Sequence, residues 1–205
     1  MTPTGGGPRG NRTPHDFETS YADTPPWDIG RPQPSFLALV EAGELRGRVL
    51  DSGCGTGEHT LMAARMGLDA TGIDIAPTAI AKAQAKARER GLTARFLVHD
   101  ALQLATLDGR YDSVLDCGLY HIFSDEDRLR YVDSLGAAIV PGGRYFLLCF
   151  SDRQPGDWGP RRITQGEIRA SFADGWRVDS IEPATLETHL EPPHVLAWLA
   201  WITKV

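Results

Sequence analysis

Cysteine is scarce in this chain, with three residues at positions 54, 117 and 149. An odd number, with no closely spaced pair and no histidine partner, argues against both a metal cluster and a disulfide framework. It points instead to a reducing compartment, the cytoplasm. Basic residues are also in deficit, 21 Lys and Arg against 27 Asp and Glu, for a formal charge of −6. Nucleic acid as the main partner needs a basic face, and only a local patch beneath that acidic total would supply one. No apolar run approaches the ~20 residues a membrane helix requires. The first residues, Met1 to Pro8, lack the apolar core of a secretion signal. The expectation is a soluble cytoplasmic protein, monomeric, with no metal, membrane or nucleic-acid partner.

Apolar residues make up 41% of the chain and charged residues 23%, the balance of an ordinary globular domain. At 205 residues one or two domains are possible, and the absence of an interior linker favours one. The chain divides into a Gly-, Pro- and Thr-rich tail over 1–13, expected to be disordered, and one domain over 14–205. Residues 14–45 would form an N-terminal lid and 46–205 the core.

The most informative stretch runs Val49-Leu50-Asp51-Ser52-Gly53-Cys54-Gly55-Thr56-Gly57-Glu58. A buried strand ending on an acid leads into glycines at alternate positions, and a helical pattern begins at His59. Such a turn demands unusual backbone angles and lets a ligand lie against the main chain. A dinucleotide fingerprint would carry its third glycine where Glu58 stands, and a phosphate loop would carry lysine after Gly57; neither is present.

Around this loop the elements alternate. A short amphipathic helix is expected over Pro14–Ala22, then a stiff segment from Asp23 to Pro34 that paired prolines keep extended. Trp27 on that segment suits either a wall over a site or a plug at the core edge. A helix over Ser35–Leu45 follows. Asp69–Ile75 is a second strand whose Asp74 lies about 20 residues past the first glycine, where an acid meets a ribose hydroxyl pair, although a solvated strand end is the alternative. Pro77 opens a helix. Thr93–His99 is a third strand, with Asp100 beyond it as adenine acceptor, helix cap, or both.

Tyr111–Cys117 is a fourth strand, and Gly118 marks the expected reversal of sheet order. A helix over Ser124–Val140 would bury Leu129, Val132, Leu135 and Ile139 and stop at Pro141-Gly142-Gly143. Arg144–Phe150 is a fifth, central strand. A polar loop over 151–162, a helix over Thr164–Phe172 and two strands, Trp176–Ile181 and Val195–Thr203, complete the chain. The expected fold is α/β: a three-layer, doubly wound, seven-stranded and mostly parallel sheet with an antiparallel final strand and an N-terminal helical lid.

The Asp-x-Gly-x-Gly-x-Gly loop, with strand-end acids at Asp51, Asp74, Asp100 and Asp116, resembles the class I S-adenosylmethionine-dependent methyltransferases. Pro26-Trp27-Asp28-Ile29-Gly30-Arg31-Pro32-Gln33-Pro34 resembles the N-terminal signature of small thiopurine, thiol and halide methyltransferases. Asp116-Cys117-Gly118-Leu119-Tyr120-His121-Ile122-Phe123 and Leu148-Cys149-Phe150-Ser151-Asp152 are more similar to actinobacterial heterocyclic toxin methyltransferases, which act on bicyclic heteroaromatics such as hydroxyquinolones. The resemblance implies S-adenosylmethionine as cofactor, held by Trp27, Gln33, Asp51, Gly53, Cys54, Gly55, Asp74, Ile75, Asp100, Ala101 and Cys117. It implies an acceptor site drawn from Tyr21, Tyr120, His121, Phe150 and Trp158, and methylation of O, N or S of a small heteroaromatic, with detoxification as the biological sense. His121 is the one residue suited to act as a base; capping, packing and plain exposure are its other roles. His59 reads as structural. A thiol or halide acceptor and a non-catalytic cofactor sensor are the competing functions.

Overall fold

The computed structural model describes residues 13–205; the tail expected over 1–13 lies, apart from Thr13, outside the described residues. Thr13 is part of the structure as the N-cap of the first helix, α1 (Pro14–Ser20), where it and Asp16 form a reciprocal capping box. Then come α2 (Pro34–Glu41), β1 (Arg48–Ser52), α3 (Glu58–Arg65), β2 (Asp69–Asp74), α4 (Pro77–Glu89) and β3 (Arg95–Val98). A 3₁₀ segment (Ala101–Thr106), β4 (Tyr111–Cys117), a second 3₁₀ turn (Tyr120–Ile122), α5 (Asp125–Ala138), β5 (Ile139–Phe150), α6 (Gln165–Ser171), β6 (Trp176–Glu187) and β7 (His194–Lys204) follow.

The strands form one sheet in the order β3-β2-β1-β4-β5-β7-β6. The first five run parallel, and β7 is antiparallel to both β5 and β6. The sequence direction of the order turns between β1 and β4, so their carboxyl ends open the crevice where such sheets bind ligands. Both faces are covered, and side chains alternate accordingly. Along β5, Tyr145, Leu147 and Cys149 join a core with α5 and α6, while Phe146, Leu148 and Phe150 join one with α2 and α3.

Several boundaries and one buried face differ from the sequence expectation. The helix expected to reach Val140 ends at Ala138, and Ile139 pairs directly with Tyr111; the Pro-Gly-Gly segment makes an irregularity inside β5, where the register shifts between Tyr111 and Ser113. The buried face of α5 consists of Arg128, Tyr131, Val132, Ser134, Leu135 and Ala138, whereas Leu129 is exposed. Arg128 takes the inner place because Asp125 and Glu167 neutralise it and its guanidinium lies over the Tyr120 ring. The last two strands are longer than expected because they pair with each other as one long ribbon, from Trp176↔Lys204 to Glu187↔His194.

Candidate active site

The loop between β1 and α3 turns through left-handed glycines at 53, 55 and 57. At Gly57 a side chain is excluded twice, by φ of 87° and by Phe96 and Ala83 at 2.7 and 2.8 Å from where its Cβ would be. That contact lets α3 start directly against α4 and β3. Asp51 is buried beneath the loop, and its Oδ2 accepts from the Thr60 amide at 3.0 Å and hydroxyl at 2.8 Å. Its Oδ1 is buried without a partner. Burial, with Asp74 and Asp116 nearby, pushes its carboxyl up to about 7. Asp74, at the end of β2, accepts from the Gly55 and Ala76 amides, each at 2.9 Å, and burial raises its carboxyl as well. An orphaned carboxylate oxygen and raised acids beneath the glycine loop fit a cationic ligand with amine donors, such as the S-adenosylmethionine head group.

Ile75, half-buried, continues from Asp74, and Ala101 is buried beside Asp100 at the end of β3. Asp100 caps the 3₁₀ segment, accepting from Leu102 N–H at 2.9 Å. Cys54 is buried in the loop and Cys117 half-buried at the end of β4, and burial drives both thiols upward.

The N-terminal segment crosses the glycine loop. Tyr21 is buried with its hydroxyl 2.8 Å from where a Gly55 Cβ would be, and it accepts from Trp27 Nε1–H at 3.1 Å. Lys82 on α4 donates to the carbonyls of Tyr21 and Asp23 at 2.7 and 3.1 Å, and Thr56 Oγ1 donates to Asp28 at 2.9 Å. Tyr21 therefore lies directly over the glycine loop, tied to Trp27 of the same segment. Gln33 departs from its expected cofactor contact. Its amide is spent on both backbone groups of Glu187, donating at 3.0 Å and accepting at 2.8 Å, and it anchors the segment to β6. His59 accepts the Gln33 amide hydrogen at 3.1 Å on Nε2, a structural role, and burial takes it down to about 4.

On the other side of the crevice the loop after β4 is tied to Asp116. This fully buried carboxylate accepts from the Leu119 and Tyr120 amides at 2.8 and 3.2 Å and from the hydroxyls of Tyr131 and Tyr145 at 3.1 and 2.7 Å. Tyr120 was expected at the rim but is completely buried, its hydroxyl donating to Ser171 at 2.7 Å. Arg128 over its ring and Phe172 beside it make Tyr120 part of the core beneath α6, not of an acceptor pocket.

His121 packs edge-on against Phe150 with centroids 4.9 Å apart, and Phe150 packs the same way on Trp158 at 6.1 Å. The amide N–H of Phe150 donates to His121 Nδ1 at 3.0 Å. A backbone amide is always the donor, so the neutral ring carries its proton on Nε2. Burial, and then Arg162, lower its pKa to about 3. With Nδ1 occupied and Nε2 protonated, His121 offers a donor and no free lone pair, which overturns its expected role as a base. Nitrogen-15 NMR should show an Nε2–H imidazole unchanged from pH 8 to pH 5, whereas titration near 6.5 would show that Nδ1 is free. The sign for stability follows: the folded pKa lies below the ordinary value, so this group's contribution is complete above about pH 6.5. It is lost as pH falls toward 3.

Arg162 was not singled out from the sequence. Its guanidinium lies 5.2 Å from the centroids of both Phe150 and Trp158. No spacing rule flags an arginine in a polar loop; its significance comes from where the bridge between Ser151 and Ile163 brings it.

A doubly wound sheet with this strand order, and a glycine loop under an acid-lined crevice, defines the class I S-adenosylmethionine-dependent methyltransferase fold. A methyltransferase-domain family matches residues 49–143. The chain is 40% identical over 181 residues to 2-heptyl-1-hydroxyquinolin-4(1H)-one methyltransferase of Mycobacteroides abscessus, covering 83% of this chain and 80% of that one. A structure solved for the conversion of a disulfide bond into a thioacetal group during echinomycin biosynthesis is 36% identical, with a TM-score of 0.86 over 94% of this chain and 93% of that one. The 1,6-didemethyltoxoflavin-N1-methyltransferase of Burkholderia thailandensis, with bound S-adenosylhomocysteine, shares the fold at 21% identity and a TM-score of 0.72, over 98% of this chain and 94% of that one. The chain belongs to the S-adenosylmethionine-dependent methyltransferases, and it is a small-molecule enzyme of that family. Among the described residues no helix is long and apolar enough to cross a membrane.

Proposed function

We propose that the enzyme methylates oxygen or nitrogen of a small planar heteroaromatic of the hydroxyquinolone type, and that the reaction detoxifies such compounds. The observation carrying this reading is the ring wall of His121, Phe150 and Trp158 where β4 and β5 end, beside the glycine loop. Flat π faces suit a planar acceptor and also attract a cation. The 40% identical hydroxyquinolone methyltransferase supports the same choice.

When bound, S-adenosylmethionine supplies an activated methyl group on a sulfonium. Asp51 and the main chain of Gly53, Cys54 and Gly55 would hold its amino-acid part, with Cys117 alongside. Asp74 and Ile75 would take the ribose and Asp100 and Ala101 the adenine. The 14–45 segment would act as a lid through Tyr21 and Trp27. Positioning is worth up to ~7–11 kcal/mol when the reacting atoms are aligned. No base is assigned, so the acceptor's own acidity must supply the anion. We extend the proposal to a single domain over 14–205, working as a cytoplasmic monomer.

A sulfur acceptor is the second reading, favoured by the 36% identical structure from thioacetal formation. The two separate on incubation with methyl-labelled cofactor and four acceptors: 2-heptyl-1-hydroxyquinolin-4(1H)-one, an N-heterocycle, an aryl thiol and iodide. Label is expected in the first. Transfer to the thiol or iodide alone would replace the proposal, and cofactor binding without any transfer would make the chain a sensor.

A further inference from the structure

We propose that Asp28 is a positioning residue: its carboxylate latches the N-terminal segment to Thr56 of the glycine loop, and the latch sets how fast the cofactor enters and its product leaves. This rests on the reading of 14–45 as a lid and identifies the contact that closes it.

The segment has to move for the reaction to turn over. Cys54, Gly55, Thr56 and Gly57 are buried, and Tyr21 stands directly over Gly55. A ligand laid against that main chain comes and goes only when the segment lifts. Several of its fastenings lie to either side of the loop. Glu18 accepts from the amide of Thr78 at 3.1 Å and from its hydroxyl, and Lys82 holds the carbonyls of Tyr21 and Asp23. At the tip between β6 and β7, His189 donates from its amide to the Pro26 carbonyl at 2.8 Å and from Nε2 to the Asp28 carbonyl at 3.0 Å. Those bonds fasten the segment to α4 and to the hairpin tip. Asp28 fastens it to the glycine loop itself, where Oδ1 accepts from Thr56 Oγ1 at 2.9 Å.

Charge makes that contact a latch. Lys86 donates to the same Thr56 oxygen at 2.7 Å and to Glu58 at 2.8 Å, and its Nζ lies 4.0 Å from Asp28 Oδ1. Arg90 grips both oxygens of Glu58 at 2.8 Å. With the segment down, two cations face two carboxylates. With it lifted, Lys86 and Arg90 share Glu58 alone, and a net positive charge is left around a side chain only 7% exposed. Closing therefore lowers the electrostatic energy. A groove of about 480 Å³ runs past the latch, lined in part by Asp28, Thr56, Lys82, Lys86, Glu89 and His189. It gives solvent access to Asp28 and Lys86, 15% and 23% exposed, so the latch releases as well as closes.

Surface plasmon resonance on the full-length enzyme measures both rates for S-adenosylhomocysteine, and hydrogen exchange over residues 21–31 measures opening. In Asp28→Ala both rates should rise about tenfold, the equivalent of about 1.4 kcal/mol, with affinity held within about threefold. A gate speeds entry and exit alike, whereas a lost ligand contact speeds exit only. Exchange over 21–31 should rise by the same factor as the rates. Asp28→Asn should give about threefold, since a neutral acceptor keeps about half the strength of the bond from Thr56. Thr56→Val should match Asp28→Ala, and the double variant should go no further than either, the mark of one shared contact. The control Glu89→Gln removes a carboxylate from the same groove and should leave both rates unchanged. Wild-type rates in Asp28→Ala and Asp28→Asn, or faster exit with affinity lost in proportion, would strike the latch. So would factors that multiply in the double variant. Wild-type exchange over 21–31 as slow as that of β4 would instead show a segment that does not lift, and the lid reading itself would go.

Discussion

Asp116→Ala is expected to lower the unfolding free energy by about 3–5 kcal/mol, the range for removing one partner of a buried charged network. The substitution strips the acceptor from four donors at once: the amides of Leu119 and Tyr120 and the hydroxyls of Tyr131 and Tyr145. Each buried donor left without an acceptor costs about 1–3 kcal/mol. An opposing effect exists, since burial holds the Asp116 carboxyl up at about 6, a sign that its ionised form is costly here. The donors outweigh it because both tyrosines are completely buried and water cannot replace the lost acceptor. Tyr131 also accepts from Ser52 at 3.0 Å, which carries the disturbance across to the end of β1. Urea unfolding measures the loss. Function should follow a pattern, because Asp116 anchors the turn that carries His121: KM for the acceptor rises more than KM for the cofactor. Asp116→Asn keeps the shape and one acceptor oxygen and should lose about half as much stability. A loss under 1 kcal/mol for Asp116→Ala would show that the tyrosine hydroxyls find other partners.

The elements that could be read in advance are those with local punctuation. The Tyr111–Cys117 strand and the helix opening at Pro77 lie where they were expected, because single glycines at 109 and 118 bound one and a proline starts the other. The glycine loop was legible for the same reason: its spacing is a backbone requirement, and only one residue type meets it. The missing details are all long-range. Gln33 meets Glu187 across 154 positions, and Tyr120 meets Ser171 across 51. Until those partners are in place, a glutamine beside a lid and a tyrosine beside a histidine read as site residues. The Leu129 error has a related cause. Periodicity assumes that the apolar residue goes inward, and here a neutralised arginine covers Tyr120 instead, leaving the leucine to solvent. His121 needed one distance, to the Phe150 amide, to change from base to donor.

Asp74→Ala is expected to weaken S-adenosylmethionine binding about 100-fold, or about 3 kcal/mol, while the ligand-free protein loses little stability. The binding loss follows from charge-assisted hydrogen bonds to a ribose hydroxyl pair, about 1.5–3 kcal/mol each, reduced by the bonds already made to protein. The small stability change has a separate origin. Asp74 accepts from the Gly55 and Ala76 amides at 2.9 Å, and the variant leaves both without that acceptor. Against this, burial raises its carboxyl, and Glu18 adds a like charge, so removing the group also relieves a cost. The two contributions oppose each other in the free protein, and the second does not compensate the loss of ligand contacts. Calorimetry and a thermal melt on the same sample separate them. Asp74→Asn retains an acceptor for Gly55 and should fall between the two. Affinity for the cofactor within threefold of wild type in Asp74→Ala would move the ribose site away from the end of β2. A melt lowered as far as the affinity would instead make Asp74 a brace for the glycine loop, with binding lost only because the loop is.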